Sequence, residues 1–224
     1  MKPDNAPIET FINDQVEKWK TRTSCHVPVI TFSTEPGSGG HVIAKIVAEQ
    51  LNLSFYDRDI IRKIAESAHI SETVIASMEK ERLSGVEDFI ASLVDDQYLW
   101  RGLYLKHLVK VVSAIASHGK SVIVGRGANF IVPRNECLRV RVIAPLENRV
   151  ANVARAYDVA EKDARQRVAH REKARNAFIR QAYAADARNP QHYDLVINTG
   201  GMAVDACVGG IIGTVVGRKE KNKL

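Results

Sequence analysis

The feature that most constrains the fold is a short apolar run joined to a helical pattern by a glycine-rich turn. Residues 27–32 (VPVITF) have strand composition, and the apolar residues after the turn recur at helical spacing. Between them lies the glycine loop, residues 35–41 (EPGSGGH). Glycines let successive backbone N–H groups curl around an anion, and a helix N-terminus adds partial positive charge. This order favours phosphate binding over the alternative, a tight turn without a ligand.

The same alternation of strands and helices continues along the chain. Further strands are predicted at residues 53–56, 121–124, 138–144 and 194–198, with helical segments between them. Such alternation is typical of an α/β fold, in which a parallel sheet is covered by helices on both faces. Ligands of these sheets bind beyond the carboxyl ends of the strands. We therefore expect a five-stranded parallel sheet, with the functional residues in the segments that follow its strands.

The length of 224 residues predicts one domain with additions at its ends. Residues 1–24 form an amphipathic N-terminal helix, which packs either on the domain or on a second subunit as part of a homodimer. The main domain spans residues 25–217 and contains a helical insert at residues 71–118 and an arginine-rich region at residues 149–188. Residues 218–224 are predicted to be a polar, frayed tail.

Composition excludes several classes of protein. The chain has no run of about 18 apolar residues and no apolar stretch of signal-peptide length near its start, so a cytoplasmic protein without membrane contact is predicted. Cys25, Cys137 and Cys207 are widely spaced, and no pair of Cys or His residues has zinc-site spacing. Three reduced thiols are expected.

The charge distribution points to anionic partners. The net charge is +6, and residues 149–188 contain eight arginines but only two lysines. Arginine is preferred where a planar fork must match phosphate or carboxylate oxygens. Acidic residues lie between these arginines, so the alternative is a helical surface that faces solvent and binds no anion. Nucleic-acid binding is a weaker hypothesis, because aromatic residues make up only 6% and no stacking or helix-turn-helix signature is present.

Six stretches occur in order along the chain: ITFSTEPGSGGHVIAKIVAEQL, FYDRDII, SVIVGRGANFIV, LRVRVIAPLENRV, EKAR and YDLVINT. Together they resemble the cytidylate kinase-like family, a branch of the P-loop nucleoside monophosphate kinases. The resemblance implies a three-layer P-loop NTPase fold with a five-stranded parallel sheet, a helical insert and an arginine-rich lid. It also implies transfer of the ATP γ-phosphate to a nucleoside monophosphate (CMP-like) or a related small phosphorylated acceptor, with Mg²⁺ accompanying ATP.

The resemblance implies a nucleotide-phosphate site in the glycine loop and the residue after it: Gly37, Ser38, Gly39, Gly40, His41 and Val42. His41 stands where the family has arginine and where other P-loops have lysine. The resemblance therefore implies that His41 has their catalytic role. Histidine is charged only when protonated, so nucleotide binding should weaken as pH rises. Val42 replaces the Ser or Thr that holds Mg²⁺, which leaves Ser38 and Asp57 as candidate metal ligands beside phosphate oxygens.

The implied acceptor site follows the other strands, and its residues are Asp57, Arg62, Arg126 and Arg149. In particular, Arg126 in Gly-Arg-Gly resembles the family arginine that grips the acceptor's phosphate.

Residues 172–175 (EKAR) resemble the family's lid motif, Asp-Lys-x-Arg. Arg171 and Arg175 would then be catalytic arginines that close on the transferring phosphate. We expect this segment to be poorly ordered or open without ligand, because it is polar and has no large apolar residue before Phe178.

The departures at Glu35, His41 and Val42 support a second hypothesis from another class. The chain could be a nucleotide-binding regulator of the same fold that has lost turnover. Such a protein would bind ATP but form no ADP with any acceptor.

Overall fold

The computed structural model describes residues 6–20, 29–66, 68–76, 78, 83, 86–87, 89–90 and 99–221. Five strands lie in this part of the chain: β1 (Val29–Thr34), β2 (Ser54–Tyr56), β3 (Ser121–Val124), β4 (Cys137–Ile143) and β5 (Leu195–Asn198). All pair in parallel, in the order β2-β3-β1-β4-β5. The predicted five-stranded parallel sheet is confirmed, although residues 27 and 28 of its first predicted strand lie outside the described residues.

The helices are α1 (Ala6–Lys20), α2 (Gly40–Gln50), α3 (Arg58–Glu66), α4 (Ala68–Ile75), α5 (Leu99–Ser117), α6 (Ala128–Ile131), α7 (Leu146–Tyr157), α8 (Glu161–Tyr183) and α9 (Val204–Lys221). Short 3₁₀ turns cover Pro190–His192 and Thr199–Gly201. The predicted helical insert corresponds to α4 and α5, and most of residues 77–98 between them lie outside the described residues. Within the described part of the chain, no helix is both long and apolar enough to cross a membrane.

Two hydrophobic cores lie on opposite faces of the sheet. On one face, alternate strand residues such as Phe32 and Val140 pack against α2 and α9. On the other face, Val29 and Ile123 pack with α3 and α5. All four residues of β3 are buried, as expected of a parallel strand covered on both sides. The result is a three-layer α/β fold.

The order of the strands positions the candidate site. β1 is central, and the chain passes from it to the β2–β3 side before it returns to β4 and β5 on the other side. Ligands of such sheets bind where the strand order reverses, beyond the carboxyl ends. That point is the end of β1, where the glycine loop begins.

Helix α1 packs on its own chain. Ile12 is fully buried, the ring of Phe11 lies edge-on to that of Tyr56 at 5.8 Å, and Gln15 Oε1 accepts a 2.8 Å hydrogen bond from Ser54 Oγ. The described part of the apolar stripe, Phe11, Ile12 and Val16, is therefore covered by β2 and its neighbours, in line with the first of the two alternatives. A homodimer through this helix stays a prediction.

The end of the chain differs from the prediction of a polar tail beginning at residue 218. Helix α9 continues to Lys221. Arg218 anchors it by donating hydrogen bonds from its guanidinium to the carbonyl oxygens of Cys137 and, at 2.8 Å, Arg134. The charge of residue 218 suggested a frayed end, but its side chain ties the helix to the sheet.

Candidate functional site

The glycine loop connects β1 to α2 in a conformation that requires glycine. Gly37 and Gly39 have φ angles of +83° and +74°, in the left-handed region that glycine adopts without strain. A Cβ atom on Gly37 would also clash with the backbone carbonyl of Arg149. The loop therefore lies directly against the first turn of α7.

The start of α2 is free to receive an anion. No side chain caps this helix, and its first turn contains no acidic residue. Ser38 is buried, and its Oγ is only 3.4 Å from the backbone N of Gly40. Because the first N–H groups of a helix have no partner within it, they and the helix dipole favour a bound phosphate at this position.

Two carbonyl oxygens of the loop are held from neighbouring elements. Asn152 Nδ2 donates to the carbonyl of Gly37 at 2.9 Å, and Thr199 Oγ1 donates to that of Ser38 at 2.9 Å. Since Asn152 lies on α7 and Thr199 follows β5, these bonds fix the loop to both elements. The loop is pre-organised before any ligand binds.

Arg149 joins the glycine loop to α8. Its Nε donates to the carbonyl of Ala144 at 3.0 Å and lies 3.4 Å from Glu35 Oε2, and its Nη1 donates to Glu172 Oε2 at 2.8 Å. The side chain is almost fully buried. We call Glu35, Arg149 and Glu172 the loop brace. Arg149, predicted to bind the acceptor, is thus engaged by two carboxylates of the protein itself.

Glu35 has a second cationic partner. Arg141, in the middle of β4, donates from Nη1 to Ser33 Oγ at 2.8 Å and from Nη2 to Glu35 Oε1 at 3.3 Å. The backbone N of Ala144 donates to Glu35 Oε2 at 3.2 Å. The residue that replaces the first P-loop glycine is therefore a structural anion, which neutralises two arginines below the loop.

Asp57 caps a helix. Its Oδ1 accepts hydrogen bonds from the backbone N of Asp59 at 2.9 Å and of Ile60 at 2.8 Å. This is the usual geometry of an N-cap, and it satisfies two N–H groups at the start of α3. One carboxylate oxygen is committed to the fold, which leaves Oδ2 as the atom for a metal ion or ligand.

Arg126 lies in a strained turn at the end of β3. It has a φ of +54°, between Gly125 at +80° and Gly127 at +70°. Non-glycine residues rarely adopt this conformation, and such strain is often found at functional sites. Within the described residues, Arg126 Nε is buried and has no hydrogen-bond partner.

Tyr183, the last residue of α8, holds this turn in place. Its hydroxyl donates to the carbonyl of Arg126 at 2.8 Å. A Cβ atom on Gly127 would clash with the Tyr183 ring, so only glycine permits this approach. The ring also stacks on Phe130, with centroids 5.3 Å apart.

The helical insert contributes Tyr104 to the same place. Burial raises the pKa of Tyr104, and the charges of Arg126, Glu66 and Arg62 also act on it, with the two arginines lowering the pKa and Glu66 raising it. The charges of two predicted acceptor residues, Arg62 and Arg126, thus both act on Tyr104. Arg62 is exposed and lies 3.8 Å from Asp59 Oδ1.

The segment predicted to be a lid, poorly ordered or open without ligand, is the middle of a regular helix; its role as a lid stays a prediction. Helix α8 is continuous over 23 residues. It packs on α7 through a small apolar core of Val150, Val153, Ala164 and Val168, and Glu172 ties it to Arg149. Ala164 and Val168 are one helical turn apart and pack α8 on α7, although the arginine-rich sequence around them gave no sign of an apolar face.

Arg171 and Arg175 have different surroundings. Arg171 is exposed, with its guanidinium 5.3 Å from the centroid of the Tyr157 ring and its Nη1 3.2 Å from the Tyr157 hydroxyl. Arg175 is partly buried, and its Nη1 is enclosed without a partner among the described residues. Burial and the charges of Arg141 and Arg58 lower the pKa of Arg175 to about 10. The charge of Glu35 acts in the opposite direction.

His41 contacts an aromatic ring. It is exposed at the start of α2, and its ring lies edge-on to that of Phe55, with centroids 5.4 Å apart. The next residue, Val42, is 53% exposed. Neither residue reproduces the lysine and hydroxyl of an ordinary P-loop.

Sequence reasoning missed four residues around this site: Arg58, Tyr104, Arg141 and Tyr183. Arg58 begins α3 directly after β2, and its Cβ is 3.9 Å from where a Cβ on Gly125 would lie. Its position after a strand was a usable signal, as was the occurrence of Arg141 within an apolar strand. Neither tyrosine had a local signal, because each reaches the site from a distant helix.

Comparisons with known proteins agree with this geometry. The model of the cytidylate kinase-like family matches residues 29–201. The chain is 26% identical over 181 residues to a cytidylate kinase of Ignicoccus hospitalis, covering 80% of this chain and 94% of that one. It is 29% identical over 195 residues to a cytidylate kinase of Archaeoglobus fulgidus, covering 86% and 97%.

A solved structure shows the same fold. An uncharacterized protein from Eubacterium ventriosum superposes with a TM-score of 0.67 at 21% identity, covering 85% of this chain and 98% of that one. The family match spans most of the chain and includes the glycine loop, the Gly-Arg-Gly turn and helix α8. The chain belongs to the cytidylate kinase-like family.

Proposed function

We propose that the protein is a kinase-type phosphotransferase that moves the γ-phosphate of ATP to a nucleoside monophosphate, CMP-like, or to a related small phosphorylated acceptor. One observation carries this proposal. Beside a pre-organised glycine loop, two arginines have buried guanidinium nitrogens, Arg126 Nε and Arg175 Nη1, without partners in the described part of the chain. Buried cationic donors are normally paired, so they indicate anionic ligands.

The donor would bind at the glycine loop. Its backbone N–H groups and the N-terminus of α2 would hold the β-phosphate, and the bonds from Asn152 and Thr199 keep the loop in shape for it. His41, when protonated, would add a positive charge near this position. The loop brace would support the loop rather than bind the nucleotide.

The acceptor and the transferring group would bind beyond β3 and against α8. Arg126 would hold the acceptor's phosphate, and Arg175 would compensate the charge of the group in transit. An oxygen of the acceptor phosphate attacks the γ-phosphorus. The bond between that phosphorus and the bridging oxygen breaks, and ADP leaves with the electron pair. The protein's part is to align the two anions and exclude water.

Mg²⁺ would enter with ATP. Among the residues that the structure describes, no three His, Cys, Asp or Glu side chains form a metal cluster. This fits an ion held mainly by phosphate oxygens and water, with one or two protein oxygens, for which Ser38 Oγ and Asp57 Oδ2 are the candidates. Bound Mg²⁺ would neutralise phosphate charge.

A regulator without turnover is the second candidate. The exposed Val42 and the His41–Phe55 contact favour it, because neither side chain supplies the permanent cation or the hydroxyl of an ordinary P-loop. A regulator would keep the glycine loop but would have no use for a polar acceptor site around Arg126.

The test is a screen for ADP formation with every nucleoside monophosphate, in Mg²⁺ and in Mn²⁺. We expect ADP to form with at least one pyrimidine monophosphate. Arg126→Ala should raise the KM for that acceptor about 10- to 100-fold, the cost of one hydrogen bond to a charged group. Tight ATP binding without ADP formation under any condition would establish the regulator instead.

A further inference from the structure

Two buried polar atoms lack hydrogen-bond partners among the described residues: Arg126 Nε, in the turn after β3, and the Tyr104 hydroxyl, on α5. Tyr183 binds the turn of Arg126 through its hydroxyl, and Tyr104 and Tyr183 pack against the same hydrophobic core. A buried polar group without a hydrogen-bond partner is destabilising, and native proteins contain few of them. Two such groups in one place indicate a polar ligand that accepts hydrogen bonds from both.

The state of the Tyr104 hydroxyl makes it a donor. Burial raises its pKa and outweighs the opposing charge of Arg126. The hydroxyl therefore keeps its proton at neutral pH and can donate to a ligand oxygen. The charged groups that act on it are Arg126, Arg62 and Glu66. Arg62 also lies 3.8 Å from Asp59 Oδ1, whereas Arg126 Nε has no partner among the described residues. An anionic ligand fits this environment.

We propose that Tyr104 recognises the acceptor, donating a hydrogen bond from its hydroxyl to the phosphate that Arg126 binds at the same time. The inference rests on the proposed function for the ligand's identity as a phosphate monoester. The existence of an anion site rests on the two unpartnered donors alone.

Tyr183 provides a natural comparison in the same place. Its hydroxyl is used by the fold, because it donates to the carbonyl of Arg126 at 2.8 Å, and its ring packs on Phe130. Tyr183 is therefore a positioning residue for the turn. The Tyr104 hydroxyl has no such bond in the described residues, so the two tyrosines form a matched pair for substitution.

The experiment compares Tyr104→Phe and Tyr183→Phe with the wild-type protein. Melting temperatures are measured without ligand. Dissociation constants for CMP and inorganic phosphate are measured by calorimetry while a saturating non-hydrolysable ATP analogue with Mg²⁺ fills the glycine loop, and ATP binding is measured separately. Each variant removes one oxygen and keeps its ring.

We expect Tyr104→Phe to keep or raise the melting temperature and to leave ATP binding unchanged. Its dissociation constants for CMP and phosphate should rise at least about tenfold, as for a lost hydrogen bond to a charged group. Tyr183→Phe should lower the melting temperature, because it leaves the carbonyl of Arg126 unpaired.

Equal affinities of wild type and Tyr104→Phe for CMP and phosphate would overturn the proposal. So would a fall in melting temperature as large as that of Tyr183→Phe, because the hydroxyl would then have a structural partner. If phosphate binding depends on Tyr104 but no monophosphate is phosphorylated, the proposed function fails and the anion site stands. A wild-type protein that binds neither CMP nor phosphate would refute the site.

Discussion

The loop brace and the groups beyond β3 use charged side chains in opposite ways. In the loop brace, the guanidinium of Arg149 is bound by Glu35, Glu172 and a backbone carbonyl. By contrast, Arg126, Arg175 and Tyr104 each contain a buried polar atom that finds no partner in the described residues. We call these three the unpartnered set. The difference separates arginines that support the fold from arginines that are available to a ligand.

The largest effect is expected from the unpartnered set. Arg175→Met should lower kcat about 1,000-fold or more, as when an arginine that stabilises phosphoryl transfer is removed. The free energy of unfolding should stay the same or increase, because the change removes a partly buried charge whose Nη1 has no hydrogen-bond partner among the described residues. Steady-state kinetics and urea unfolding check the two parts.

Arg171→Met is the matched control for Arg175→Met, one turn earlier on the same helix and exposed. A smaller loss of kcat is expected there, because its guanidinium packs on Tyr157. If Arg175→Met kept its kcat but lost stability, Arg175 would belong with the structural arginines.

The opposite outcome is expected in the loop brace. Arg149→Met should lower the free energy of unfolding by about 3 kcal/mol, because it leaves the carboxylates of Glu35 and Glu172 without their shared partner. Arg155→Met, at an exposed position of the same helix, should change it by less than about 0.5 kcal/mol. Denaturant unfolding of both variants measures the difference. Equal stabilities, with acceptor affinity lost only in Arg149→Met, would return Arg149 to the acceptor site.

Asp57 tests whether one carboxylate serves both the fold and the ligand. Asp57→Ala should cost about 1 kcal/mol of stability through loss of the α3 cap, whereas Asp57→Asn should keep the cap. If Asp57 also binds Mg²⁺, Asp57→Asn should weaken Mg²⁺-dependent ATP binding at unchanged stability. Unfolding and calorimetry on both variants distinguish these roles. Unaltered ATP binding in Asp57→Asn would confine the residue to capping.

The smallest effect concerns His41. His41→Lys replaces an ionisable ring by a permanent positive charge, so it should tighten ATP binding a few-fold near pH 8. The wild-type affinity should fall as pH rises. ATP titrations between about pH 5.5 and 8.5 follow this trend. A flat profile in both proteins would leave His41 only its contact with Phe55.

The sheet could be predicted because its signals are local. Residues 121–124 are a continuous apolar run between glycines and coincide with β3, and the glycine loop separates β1 from α2. The candidate loops followed directly, since parallel strands end at one edge. The end of α9 could not be predicted in this way, because it depends on Arg218 reaching the carbonyl of Cys137, 81 residues away.

The roles of the arginines could not be predicted, because they depend on contacts between distant segments. Arg149 pairs with Glu172, 23 positions later, and Tyr183 contacts the carbonyl of Arg126, 57 positions earlier. In sequence, Arg149 and Arg126 look alike, each following a strand. The structure distinguishes them by their hydrogen bonds, because Arg149 donates to partners within the protein and Arg126 Nε has none among the described residues. The regular structure of α8 could not be predicted for the same reason, because it depends on Ala164 and Val168 packing against α7.

Helix α8 also fixes the distance between two parts of the site, the glycine loop and the turn of Arg126. Glu172 and Tyr183 are 11 residues apart, three helical turns, so they lie about 16 Å apart along nearly the same side of one rod. One end reaches the glycine loop through Arg149, and the other holds the turn of Arg126. Inserting or deleting a single residue between them would rotate one contact by about 100° around the helix axis. Helix α8 could then no longer hold the glycine loop and the turn of Arg126 at the same time. The spacing of this helix, more than the identity of the residues between its two contacts, sets the distance between the glycine loop and the turn of Arg126.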